Sequence, residues 1–127
     1  MTAAAALALS ILLAGLAVLQ AGLAAGAPLG HFAWGGQYRT LPTGLRIGSL
    51  VAIVIYAVIA AIALQKAGLV AWLPGGDWIG IAAWVAVAYL ATGIPLNAIS
   101  HSRPERLTMT PIVALLFVLT LVVALGL

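Results

Sequence analysis

The sequence predicts an all-α polytopic membrane protein, a single domain of four transmembrane helices in a small bundle. Three observations predict it. Of the 127 residues, 65% are hydrophobic and only 6% are charged, far below the roughly 25% charged content of a soluble domain. The apolar residues gather in four runs close to the roughly 20 residues that a helix needs to cross the hydrocarbon core. The runs are also continuous, whereas barrel strands alternate apolar and polar positions, and in lipid a helix satisfies every backbone group within its own segment.

The first run covers residues 2–26. Small residues in "AGLAAGAP" resemble a cleavage site, but no basic stretch precedes the run and it is longer than a signal-peptide core, so it reads as a helix. Gly22 and Gly26 form G-x-x-x-G, and Ala8, Gly15 and Gly22 recur every seven residues, which predicts a close-packed face.

The second run covers 46–66, with Ser49, Ala52, Tyr56, Ala60 and Ala63 on one face. The third covers 78–100, with Ala82, Ala86, Tyr89, Gly93, Asn97 and Ser100 along another. Asp77 stands where it can cap the third helix. Pro95 removes one backbone hydrogen bond inside it, and Asn97 or a water is expected to serve the freed carbonyl of Ala91. The fourth run, 111–127, is dominated by Leu, Val, Ile and Phe and reads as the most lipid-exposed. Its helix begins either at Thr110-Pro111 or near Arg103 with a bend at Pro111. Ser102 and Glu105 have the S-x-x-E spacing of a capping box.

Charge sets the expected orientation. Loop 1 with its flank holds Arg39 and Arg46, loop 3 holds Arg103 and Arg106, and Lys66 alone lies on the other side. The excess of positive charge predicts loops 1 and 3 in the cytoplasm of a bacterial inner membrane, with both termini outside. Trp34, Tyr38, Trp72 and Trp78 flank the runs as interfacial anchors. Pro28-Leu29 recurs as Pro95-Leu96, and Arg39 as Arg106, at one offset of 67 residues. That echo predicts a parallel two-helix repeat, whose interface would bring loops 1 and 3 together.

The candidate site follows from polar residues that the apolar spans would otherwise exclude. Tyr56 and Tyr89 lie mid-span, and Gln20, Thr92 and Asn97 lie in the cytoplasmic half, where each needs a partner. They read either as hydrogen-bonding glue between helices or as the lining of a polar pocket. Gln20, Tyr56, Tyr89 and Asn97 form the expected pocket, with His31, Trp34, Arg39, Arg46 and Arg106 at its mouth. Arginines there favour an anionic solute or lipid headgroup.

Cysteine is absent, which excludes thiolate chemistry and disulfide frameworks. His31 and His101 follow odd-numbered spans, which raises a haem or metal reading with Glu105 nearby. No H-x-x-x-H pair supports it, so neither a cofactor nor a metal is expected, and a haem or metal-binding membrane protein using His31 and His101 stands as a second alternative function. Five basic residues make no nucleic-acid footprint.

W-G-G at Trp34 to Gly36 and N-x-x-S-x-S-x-x-E-R at Asn97, Ser100, Ser102, Glu105 and Arg106 resemble a family of small, uncharacterised four-helix bacterial integral membrane proteins. The resemblance implies the fold and no activity. By length and span count the chain also looks like small multidrug resistance transporters, but its first span lacks the glutamate through which those exchange protons. The expected function is a binding or transport module for a small anionic or amphipathic solute, in contact with membrane lipids and assembled with copies of itself. The alternative is a non-catalytic accessory subunit packed against a larger membrane protein.

Overall fold

A computed structural model describes residues 1–127. It contains four long helices: α1 (Thr2–Ala24), α2 (Thr43–Lys66), α3 (Trp78–Ala98) and α4 (Arg103–Leu125). Each is long and apolar enough to cross a membrane. At 21 to 24 residues apiece and about 1.5 Å per residue, they match a hydrocarbon core of about 30 Å.

Helix ends are set by capping chemistry as well as by apolar content. α1 stops at Ala24, before Gly26, because Gly26 takes φ +96°. Its N–H reaches Leu23 O, and the Ala27 N–H reaches Gly22 O, satisfying the last carbonyls. Gly68 ends α2 in the same way, with Leu69 N–H on Leu64 O. Gly26 is therefore a helix terminator, and the guanidinium of Arg46 lies against it: an added Cβ would come 3.0 Å from Arg46 Nη2.

α2 starts at Thr43, three residues before the apolar run, and α3 ends at Ala98 instead of Ser100. The fourth helix begins at Arg103 and runs through Pro111. A start at residue 111 would leave eight residues of backbone to be paired elsewhere, whereas continuing the helix forgoes only the bond that Pro111 cannot donate.

α1 packs closely on α2, and α3 on α4, giving two helical hairpins. They join through α1 against α4 and, more loosely, α2 against α3. The main core takes Ala5, Ala6, Leu9 and Leu13 from α1, Ile59 and Ala63 from α2, Ala86 and Leu90 from α3, and Leu116 and Val123 from α4. Gly15 does not join it: a Cβ there would meet nothing within 4 Å. The predicted seven-residue stripe of α1 thus faces outward at its centre, since Leu side chains fill the gap between helices better than a glycine surface does. On α3 the buried face is also rotated. Ala83, Ala86, Val87 and Leu90 are buried, while Tyr89 is 47% exposed. α4 is the least buried of the four through its apolar window, at 17%, yet it touches all three others.

One end of the bundle carries both termini, where Thr2 Oγ1 donates to the Leu127 carbonyl, and the α2–α3 loop. There Gln65 pairs with the Leu73 backbone through two 2.7 Å hydrogen bonds. Asp77 sits at the α3 N-cap position without a side-chain capping bond. The other end, called here the loop end, carries loop 1 and the α3–α4 turn.

Candidate functional site: a polar cavity beside an apolar cleft

Helical hydroxyls have two ways to be satisfied in an apolar bundle: across to another helix, or back to their own backbone. This chain mostly uses the second. Ser10 bonds Ala6 O at 2.8 Å, Thr92 bonds Tyr89 O at 2.7 Å and Thr120 bonds Leu116 O at 2.7 Å. Asn97 Nδ2 donates to Gly93 O at 2.7 Å, one turn back, and not to the carbonyl of Ala91 that Pro95 frees. The sole helix-to-helix side-chain hydrogen bond among the four spans is Gln20 Nε2 to Tyr56 Oη, 3.5 Å long. Glue therefore accounts for few of these polar groups.

Tyr56, Tyr89 and Asn97 instead border one cavity of about 230 Å³, together with Thr92 and Gly93. Its remaining wall is apolar, and no charged residue lines it. Asn97 Oδ1 and the tyrosine hydroxyl protons make none of the hydrogen bonds above, so they are available to a ligand. Beside Tyr56 the Gln20 carbonyl oxygen is buried without a donor, an arrangement that costs about 1–3 kcal/mol if it stays unfilled. Tyr89 also borders a second space: an open cleft of about 430 Å³ between α2 and α3, walled entirely by hydrophobic residues including Val54, Val58, Val85 and Ala86. It exists because α2 and α3 meet loosely. A polar chamber and an apolar slot thus share one side chain.

The expected mouth residues occupy a different place, the loop end. Loop 1 makes two short 3-10 turns, Gly30–Phe32 and Trp34–Gly36, and lies over the ends of α2 and α4. Trp34 takes φ +53°, followed by Gly35 at +75° and Gly36 at +71°. For a tryptophan this left-handed backbone costs on the order of 1–3 kcal/mol, and tertiary contacts offset it. Its indole N–H reaches the buried Ser49 Oγ at 3.3 Å. Its ring edge fits over Gly48, where a Cβ would come within 2.9 Å.

Glu105 is only 8% exposed. One carboxylate oxygen accepts from the Gly35 N–H at 2.9 Å and from the Ser100 hydroxyl at 3.1 Å. Ser102 donates to the His31 carbonyl. The capping box expected of Ser102 and Glu105 is therefore absent: both side chains reach out to loop 1 or the turn, where they pair with part-buried backbone groups.

Arg46 Nε donates to Leu41 O at 2.8 Å, and Arg106 Nη1 to Ser100 O at 3.0 Å. Each stands fourth in its helix and folds back on the chain before it. The structural counterpart of Arg106 is thus Arg46, not the Arg39 that the 67-residue echo pairs with it. Arg39 is exposed, and its carbonyl accepts from the Gly30 N–H at 2.8 Å. The His31 ring stacks at a tilt on Phe32, with centroids 4.2 Å apart. His101 is exposed, and nowhere do three or more His, Asp or Glu side chains gather to hold a metal.

The structure therefore splits the expected site. Tyr56, Tyr89 and Asn97 share a cavity, with Gln20 attached through Tyr56. His31, Trp34, Arg46 and Arg106 fasten loop 1 and the turn. Ser49, Ser100 and the Gly35 amide were not expected in any site. Their signal in the sequence is slight: the two glycines of a W-G-G run, and the one acid of the polar stretch between the third and fourth apolar runs. Compared with models of known protein families, with characterised proteins and with solved structures, the chain matches none.

Proposed function

We propose that this chain is an integral membrane binding module for a small amphipathic solute. The polar part occupies the chamber of Tyr56, Tyr89 and Asn97, and the apolar part lies in the α2–α3 cleft. One observation carries the reading: Tyr89 borders both the polar cavity and the wholly apolar slot, so the two halves of an amphiphile would pack against the same side chain. An anion is a weaker fit than an amphiphile, because the cavity has no charged lining and Arg46 and Arg106 already bind backbone carbonyls. We place the loop end, with Arg39, Arg46, Arg103 and Arg106, on the cytoplasmic side by the distribution of positive charge.

The test uses a neutral long-chain alcohol with a diazirine on its chain and the protein in lipid nanodiscs. Photolabelling is expected to map to the α2 and α3 residues of the cleft. Combining Tyr89→Phe with Asn97→Ala should weaken it about 3- to 30-fold, as expected for one or two lost hydrogen bonds. Labelling spread evenly over all four helices, or unchanged in the double variant, overturns the reading.

A further inference from the structure

Loop 1 belongs to the α1–α2 hairpin, and the α3–α4 turn belongs to the other. Three contacts cross between them at the loop end. Gly35 N–H meets Glu105, Ser102 meets the His31 carbonyl, and Gly36 lies so close on Ser102 that a Cβ would come 2.4 Å from the serine Cβ. The Glu105 carboxylate is the one ionisable group among them. Its oxygen Oε2 takes both hydrogen bonds, and a charged acceptor makes such bonds about twice as strong as a neutral one.

We propose that loop 1 is a charge-controlled latch between the two hairpins. With Glu105 ionised, loop 1 is held down on the α3–α4 turn. Neutralising Glu105 releases it and lets the hairpins part at this end. A proton on Oε2 must displace one of its two donors, and a proton on Oε1 leaves a neutral acid with weaker acceptors. Release would widen the loop end of the α2–α3 cleft, a consequence that rests on the binding reading above. The latch itself does not rest on it.

The other charged or titratable groups here are His31, Tyr38 and Arg39 in loop 1, Arg46 on α2, His101 in the turn, and Arg103 and Arg106 on α4. Both donors to Glu105 are neutral groups, and Arg46 and Arg106 donate to carbonyls.

The absence of native cysteine permits a clean test. Spin labels on Gln37→Cys and Leu107→Cys, both exposed positions, report the distance from loop 1 to α4 in nanodiscs. At neutral pH one narrow distance is expected. Glu105→Gln should move at least half of the molecules to a longer, broader distribution. Acidifying the parent should do the same, and acidifying Glu105→Gln should add nothing. A narrow distance retained in Glu105→Gln overturns the latch. So does an acid response that persists in that variant, because a histidine would then drive it. Should Glu105→Gln fail to fold, acid titration of His31→Gln/His101→Gln decides, and a distance insensitive to acid overturns the proposal. If the distance changes while diazirine labelling of the cleft does not, the latch stands and its control of the cleft is overturned.

Discussion

Gly36 and Gly15 show how differently one residue type acts in this chain. At Gly36 the backbone has φ +71° and Ser102 fills the space a side chain would need. Gly36→Ala is expected to lower stability by about 2–4 kcal/mol, combining left-handed strain with overpacking. At Gly15 nothing lies within 4 Å, so Gly15→Ala should stabilise by up to about 1 kcal/mol through helix propensity. Thermal unfolding in detergent, followed by circular dichroism, separates the two. Trp34→Phe removes the donor to the buried Ser49 hydroxyl and should cost about 1–2 kcal/mol. Adding Ser49→Ala should recover part of that loss, since it removes the orphaned group, and a double-mutant cycle measures the coupling. Little of this was legible beforehand. Ser102 and Glu105 have capping-box spacing, and local spacing carries no record of a loop 70 residues away that needs an acceptor.

The helices as elements were legible, because each had to supply about 20 apolar residues to cross lipid. Their ends were less so. Arg103 through Thr110 are polar enough to read as loop, but backbone pairing extends α4 back to Arg103. Faces were legible on α2, where Ser49 and Ala63 are buried as the small-residue pattern implied. On α1 and α3 the same pattern pointed partly to open surface, because small residues permit close approach without compelling it. Gly93 of α3 does serve such an approach: a Cβ there would come 3.1 Å from Val113 Cγ1. Gly93→Leu should therefore push α3 from α4 and destabilise by about 1–3 kcal/mol, with the loss read as a lower melting temperature in detergent.

For the molecule as a whole, the geometry places loop 1 and the α3–α4 turn at one end and the α2–α3 loop with both termini at the other. Single cysteines at Gln37 and Arg103 should react with an impermeant thiol reagent only after cells are permeabilised. A cysteine at Gly75 should react before. Labelling of residues 37 and 103 from opposite faces would break the bundle described here.

Composition and span length alone determined that the chain is a bundle of four apolar helices joined by three more polar connections, since those properties depend only on residues near one another in sequence. Tertiary structure decided which residues meet. It set Tyr89 at the boundary of a polar chamber and an apolar slot, made Arg46 the partner position of Arg106, and turned Glu105 from a cap into the tie between two hairpins. Each of these depends on which helix faces lie opposite and how closely they approach. In a chain whose spans are nearly all apolar, many rotations of a helix bury similar surface, so the hydrophobic pattern leaves that choice to packing.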